Sequence, residues 1–334
     1  MPRQARLRGA LAALIFAVAP PPAAAAERPP QYVLISFDGA NDVAQWARSR
    51  ALAGRAEAHF TYFLSCVFLL TPETRKAYQA PGRPPGRSNV GFAPDRQDVA
   101  ARLSEIWGAH GEGHEIASHG CGHFDGGRWT KQDWTAELSA FSTIFANAWS
   151  LNRIIGEPVG WRSFAAGEIR GFRAPYLSAD AALYDALQGA GFAYDASGVS
   201  KGPAAPGLDG RLARFALPQI VEGPRARRVI AMDYNLFVRH SRGLERPGEA
   251  ERFEARAYEA FLASFQAEFD GARRPLQIGF HFTLMNGGAY WRALERFAET
   301  VCRKPEVACV TYGTYLDAVR PGRADARPAG AIGG

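Results

Sequence analysis

The chain has 334 residues, 47% of them hydrophobic and 22% charged, with 35 glycines, 22 prolines and four cysteines. This suits one large α/β domain or two small ones around a sizeable core, and it excludes a chain disordered through its middle. The formal net charge is +6, but three arginines crowd the first eight residues, so the remainder is too nearly neutral to support nucleic-acid binding.

Arg3, Arg6 and Arg8 precede a short apolar run over residues 9–19, then Pro20-Pro21-Pro22 and four alanines. That pattern is a secretory signal, too short in its apolar part to span a bilayer. Cleavage is expected near Ala26/Glu27, leaving a domain over 27–320 and a Pro/Gly/Ala-rich tail over 321–334. No later run reaches the roughly 18 apolar residues of a membrane helix, so no membrane span is expected once the signal is removed. The protein is then secreted or periplasmic, where disulfides persist. Cys302 and Cys309 are near enough to bridge a helix end to the next strand. Cys66 and Cys121 both follow apolar strand-like runs and can join if those strands are neighbours.

Tyr32-Val33-Leu34-Ile35-Ser36-Phe37-Asp38 lacks a period-2 polar alternation and fits a strand buried on both faces of a parallel sheet. A helix is predicted over 43–51 and an aromatic-rich buried strand over 59–70. The proline-rich segment 71–94 reads as a long surface loop. Residues 97–109 are amphipathic, with Val99, Leu103, Ile106 and Trp107 on one face. Thr130-Lys131-Gln132-Asp133 reads as a capping-box variant before a helix over 134–149. A helix over 181–190, a short strand over 192–195 and a loop over 201–211 follow. Strand 229–233, the long helix 248–269, strand 276–280 ending on His281, helix 290–301 and strand 308–311 complete the pattern.

Strands alternate with helices, so the fold class is α/β with a mostly parallel sheet, and about seven strand–helix units suit a closed or nearly closed, distorted (β/α) barrel. The polar residues of interest follow strand ends: Asp38, His119, Arg173, Asp233 and His281. In such barrels the site lies at the C-terminal strand ends. His119 and His123, four residues apart with two glycines between them, have a spacing used by zinc-like ions. An ion held there lowers the pKa of a bound water and polarises a carbonyl. Asp38 is placed to accept the water's proton, Arg173 to keep that carboxylate ionised, and His281 to protonate a leaving amine. The set describes metal-assisted amide hydrolysis.

Five blocks resemble the polysaccharide deacetylases of carbohydrate esterase family 4, in detail the chitin deacetylase branch. They are Ile35-Ser36-Phe37-Asp38, the His119-x-x-x-His123 block, Gly171-Phe172-Arg173-Ala174-Pro175-Tyr176, Asp233, and Ile278-Gly279-Phe280-His281, in the family's order from Tyr32 to Val319. Tyr194-Asp195-Ala196-Ser197 is similar to a run found after the third block. The resemblance implies that Asp38 is the catalytic base, His119 and His123 bind a divalent metal such as zinc, and Arg173 positions the base. It implies that Pro175 and Tyr176 shape the groove, that His281 is the general acid and that Asp233 supports it. The substrate it implies is an N-acetylated carbohydrate polymer or oligomer, chitin-like or peptidoglycan. One position departs from the pattern: the family's second aspartate, its third metal ligand, is Gly39 here. Asp42 or Asp125 would have to reach the metal instead, and the alternative is a carbohydrate-binding relative without catalysis.

The other singular residues carry blander expectations. His59 reads as a satisfied core histidine, His114 as support for its turn, and His110 and His240 as surface groups. Asp195 and Ser197 read as a turn bonding its own backbone. Trp129, Trp134, Trp149 and Trp161 read mostly as core or helix packing, with one of them a candidate to stack on a sugar face.

Overall fold

The computed structural model describes residues 28–320; the predicted signal and tail lie outside them. In chain order the elements are β1 (Gln31–Gly39), α1 (Val43–Ala56), β2 (Thr61–Leu64), α2 (Arg96–Gly111), β3 (Glu115–Ser118), α3 (Lys131–Leu151), α4 (Trp161–Gly167), β4 (Gly171–Phe172) and α5 (Ala181–Gly189). Then come β5 (Tyr194–Ser200), β6 (Gly207–Asp209), β7 (Leu212–Glu222), β8 (Arg227–Ile230), α6 (Asp233–Ser241), α7 (Ala250–Asp270), β9 (Leu276–His281), α8 (Met285–Val301), β10 (Val307–Cys309) and α9 (Tyr312–Val319).

The sheet runs β10-β1-β2-β3-β4-β5-β7-β6, with β9 on β1 and β8 on β7. The β1 to β5 pairings, β9 and β10 are parallel, while β6 and β8 lie antiparallel to β7. A parallel bridge from Met232 to Gly279 brings the segment after β8 against β9, so the sheet curls back towards its start as a distorted (β/α) barrel. This is the expected class.

Side chains along β1 alternate between two environments, as period 2 requires. Ile35 and Phe37 pack in the large cluster beneath the helices. Leu34 joins Phe63, Ala117, Tyr194, Phe215 and Tyr312 in a second, smaller cluster. Ser36 and Asp38 continue that second face towards the C-terminal strand end. The curled sheet thus has an apolar floor that turns polar at the top.

Several boundaries differ from the sequence reading. The strand expected over 59–70 stops at Leu64, where the chain folds back on itself: Phe68 N–H donates to the Ser65 carbonyl (3.2 Å) and Leu70 N–H to the Val67 carbonyl (3.1 Å). Cys66–Leu69 then forms a single 3-10 turn with all four side chains buried. Strand β7 and helix α6 went unassigned, because Pro218 and the arginines of both stretches blur any clean periodicity. His59 is exposed rather than in the core. His240 is buried rather than on the surface, paired with Glu222. His114 does hold its turn, accepting from Phe60 N–H at 2.9 Å, and the capping box at Thr130 and Asp133 is present. No helix among the described residues is long and apolar enough to cross a membrane.

Both expected disulfides form, Cys66–Cys121 and Cys302–Cys309, with sequence separations of 55 and 7. The first is possible because β2 and β3 are neighbours. Loop-closure entropy grows with separation, so replacing Cys66 and Cys121 by Ser is expected to cost about 4 kcal/mol and replacing Cys302 and Cys309 about 2 kcal/mol. Urea unfolding of the two double variants checks this; equal losses would show that closure entropy does not govern them.

Candidate active site

The strand register assembles the site. Asp38 and His281 are Cα partners across the parallel β1–β9 pair. His119 and Arg173 each follow the last residue of β3 and β4, and Arg173 N–H donates to the Ser118 carbonyl at 3.0 Å. Asp233 opens α6 directly after the Met232–Gly279 bridge. Five residues far apart in sequence therefore meet at one end of the sheet.

Arg173 is fully buried. Its guanidinium donates to Asp38 Oδ1 (2.7 Å), Ser36 Oγ (2.9 Å), the Ala196 carbonyl (3.0 Å) and Tyr312 Oη (2.9 Å). It lies over the Phe63 ring at 4.2 Å and the Tyr312 ring at 5.6 Å from the centroids. A charge this deep is tolerated only when paired and hydrogen-bonded on several sides. Burial alone would raise the Asp38 carboxyl, but Arg173 above all, with protonated His281 adding to it, outweighs burial, and the group sits below the ordinary carboxylate range.

His281 has the opposite balance. Burial opposes its charge, yet Asp233 more than compensates, with Asp38 adding to the pull, and the imidazole is raised to about 9. Asp233 accepts twice from that residue, at Oδ2 from the backbone N–H (2.8 Å) and at Oδ1 from Nδ1 (2.7 Å). The second contact occupies Nδ1 and leaves Nε2 as the nitrogen that can give up its proton.

His119 and His123 are both neutral. Burial takes His119 down to about 3 and lowers His123 as well. His119 Nδ1 lies 2.7 Å from the Arg173 carbonyl; since a carbonyl only accepts, Nδ1 carries the hydrogen and Nε2 presents a bare lone pair. His123 Nδ1 is buried without a hydrogen-bond partner. The rings stand 5.1 Å apart, centroid to centroid. An orphaned buried nitrogen beside a bare one fits a divalent ion held by two imidazoles. A third protein ligand, the norm at catalytic zinc, is missing. Asp42 caps α1, accepting from Gln45 N–H at 2.9 Å. Asp125 is exposed and accepts from Gly127 N–H at 3.0 Å. No group of three or more His, Cys, Asp or Glu side chains placed to share a metal ion occurs among the described residues. Neither substitute expected from the sequence reaches the pair.

The loop carrying the two histidines is tied down from behind by residues sequence reading passed over. Buried Glu137 accepts from Cys121 N–H (2.7 Å) and Tyr78 Oη (2.8 Å), and Tyr78 Oη in turn accepts from Gly122 N–H (3.0 Å). The Cys66–Cys121 disulfide holds the same loop. Asp195 and Ser197 reach past their own backbone: Asp195 accepts from Ser197 Oγ (2.6 Å), which accepts from Ala174 N–H (2.8 Å), fixing the turn ahead of Pro175. Pro175 is buried, and Tyr176, at φ 58°, stands 60% exposed with its ring 5.0 Å from that of His123. Tyr234, also exposed, lies 6.4 Å from the His281 ring. Its only sequence signal was its place beside Asp233. Trp134, Trp149 and Trp161 are buried in packing as expected.

Among solved structures the chain is similar to a candidate polysaccharide deacetylase from Mycobacterium smegmatis, with TM-score 0.54 and 16% identity over 89% of this chain and 93% of that one. The chain has a polysaccharide deacetylase fold. Weaker likenesses join it to a family 4 carbohydrate esterase from Streptomyces lividans in complex with acetate (TM-score 0.41, 12% identity, 81% and 90% covered). A family 4 pseudoenzyme from Bacillus anthracis is also similar (TM-score 0.45, 9% identity, 86% and 66% covered). No family model and no curated protein matches the sequence.

Because Asp233 supplies most of the upward pull on His281, Asp233→Asn is expected to drop the His281 imidazole from about 9 to below its ordinary value. Titration of the ring by NMR measures it; an unmoved midpoint would assign the shift to Asp38 instead.

Proposed function

We propose that this chain is an exported hydrolase that removes N-acetyl groups from an N-acetylglucosamine-containing polysaccharide or oligosaccharide, chitin-like or peptidoglycan. The reading is carried by one observation: Asp38 and His281 are strand partners whose separate counter-charges leave the first ionised and the second protonated at neutral pH. Two groups held in opposite protonation states across a cleft suit general acid–base work.

Asp38 accepts a proton from water as the oxygen attacks the acetamide carbonyl, and Arg173 keeps the carboxylate ionised and aimed. When the C–N bond breaks, protonated His281 gives its proton to the departing amine, and Asp233 holds the ring in line. Acetate and the free amine leave, and solvent returns the proton from Asp38 to His281. His119 and His123 would hold a divalent ion, zinc by their chemistry, which when bound supplies a more acidic water and a polarised carbonyl. With two protein ligands its affinity is expected to be weak. Tyr176 and the buried Pro175 form one wall of the groove, where an exposed ring suits the apolar face of a sugar. The two disulfides suit an oxidising compartment outside the cytoplasm. A second reading, a carbohydrate-binding relative without catalysis, is favoured by Gly39 alone.

Acetate release from N-acetylglucosamine oligomers with added zinc tests this. The rate is expected to fall at least about 100-fold in Asp38→Asn, and wild-type kcat/KM to fall as pH rises through about 9, where His281 loses its proton. Wild-type activity that survives Asp38→Asn would overturn the mechanism. Gly39→Asp is expected to tighten zinc binding, read by titration calorimetry; turnover in that variant alone would mark the natural protein as a binding relative.

A further inference from the structure

One helix away from the site, the turn between β7 and β8 forms a cavity of about 250 Å³ lined by Arg225, Arg227, Arg239 and Arg256 around one carboxylate, Glu222. Glu222 is buried and accepts from Arg256 Nε (2.8 Å) and Nη2 (2.5 Å) and from His240 Nε2 (3.0 Å). Burial holds His240 down to about 4, so it is a neutral donor, and Arg256 alone balances the carboxylate. Gly223, at φ +69°, makes this possible: a Cβ there would lie 2.8 Å from Arg256 Nη2.

Among the described residues the other three guanidiniums lack an acidic partner. Arg239 uses one N–H on the Arg228 carbonyl (2.9 Å). Arg225 and Arg227 are exposed, and among the described residues neither makes an ion pair. Clustered like charges repel, and a guanidinium fork is shaped to take a carboxylate or phosphate by two N–H groups.

The cavity is tied to the site. Helix α6 carries Asp233 at its start and Arg239 six residues on, about 9 Å along the axis. Its exposed face between them presents Tyr234 and Val238, four residues apart. At the start of α8, which follows β9 and its His281, Asn286 Nδ2 donates to Tyr290 Oη (3.0 Å), which lies 3.3 Å from His240 Nδ1, and His240 reaches Glu222. Resting on the glycan reading above, we infer that this cavity binds an oxyanion carried by the substrate chain itself, so that the preferred substrate is an acidic N-acetylated glycan that lies along α6.

The test is calorimetric binding of the whole chain to two β-1,4 hexasaccharides at low salt. One is neutral N-acetylglucosamine; the other has the same backbone with a lactyl carboxylate on alternate sugars. The acidic hexamer is expected to bind about tenfold tighter, consistent with one or two charge-assisted contacts. That preference should vanish in Arg225→Gln/Arg227→Gln while neutral binding stays unchanged, and inorganic phosphate should compete with the acidic ligand only. Equal affinities in wild type, or a preference that survives the double variant, would overturn the inference. So would anionic phosphatidylglycerol vesicles held through these two arginines with no preference between the sugars, which would assign the cavity to a membrane. If neutral sugar binds without acidic preference, only this inference falls; if neither hexamer binds, the glycan reading falls with it.

Discussion

The arrangement of the site depends on a single buried guanidinium. Arg173 stands where an apolar floor gives way to polar strand ends, and it bonds groups on β1, on β5 and at the start of α9 at once. Its own carbonyl orients His119. A paired, buried charge is poor evidence of stability, since its desolvation cost offsets most of the Coulomb gain. What it provides is placement, because the alternative to satisfying every N–H is an uncompensated charge in a dry interior. The backbone of the Arg173 turn, the ionisation of Asp38 and the tautomer of His119 all follow from satisfying it.

A second constraint follows from the first. Two carboxylates near one cleft repel unless each has its own cation, and here each does: Arg173 for Asp38 and His281 for Asp233. His281 stays charged because Asp233 faces it squarely, and Asp38 stays charged because a guanidinium does not lose its proton. The neutral histidines complete the pattern: a third cation beside Arg173 is expensive, so burial keeps His119 unprotonated, with its free nitrogen available to a ligand. The electrostatics separate donor, acceptor and ligand roles among side chains that share a small space.

Much of this was legible in the chain. Mostly apolar runs at β1 and β9 announced buried parallel strands, and the polar residue ending each run announced the site, because strand ends are where a barrel can afford polarity. The Cys302–Cys309 disulfide followed from a short link between a helix end and the next strand, and Cys66–Cys121 from two apolar runs that prove to be neighbouring strands. What stayed hidden depends on contacts made at long range. Asp195 looked like an ordinary turn, yet its partner Ser197 braces a backbone group more than twenty residues away. His59 and His240 traded places between core and surface because burial of a single imidazole is decided by neighbours such as Glu222, not by the residues flanking it. Strand β7 contains a proline that periodicity rules count against a strand. Pro218 lies near the end of the β5–β7 pairing, opposite Ser200, and its carbonyl still accepts from Ala231 N–H at 2.9 Å.

Gly39 shows how a missing ligand and a backbone requirement become entangled. The chain turns off β1 through two successive left-handed residues, Gly39 at φ +82° and Ala40 at φ 54°. The turn is clamped from both sides. Trp46 Nε1 donates to the Ala40 carbonyl at 3.0 Å, and buried Arg102 bonds the carbonyls of Asn41 and Phe68. Space is not the obstacle to a side chain at 39, since a Cβ would meet only the Phe68 ring at 3.8 Å. The obstacle is conformational: most L-residues lose stability at such a φ, while Asp and Asn tolerate it best through local hydrogen bonding. An aspartate there is therefore among the substitutions this backbone resists least, and it is also the side chain that the proposed metal pair lacks. Geometry leaves a side chain at 39 open without forbidding it, so for the proposed metal pair the third ligand would depend on the side chain at one position rather than on the shape of the fold around it.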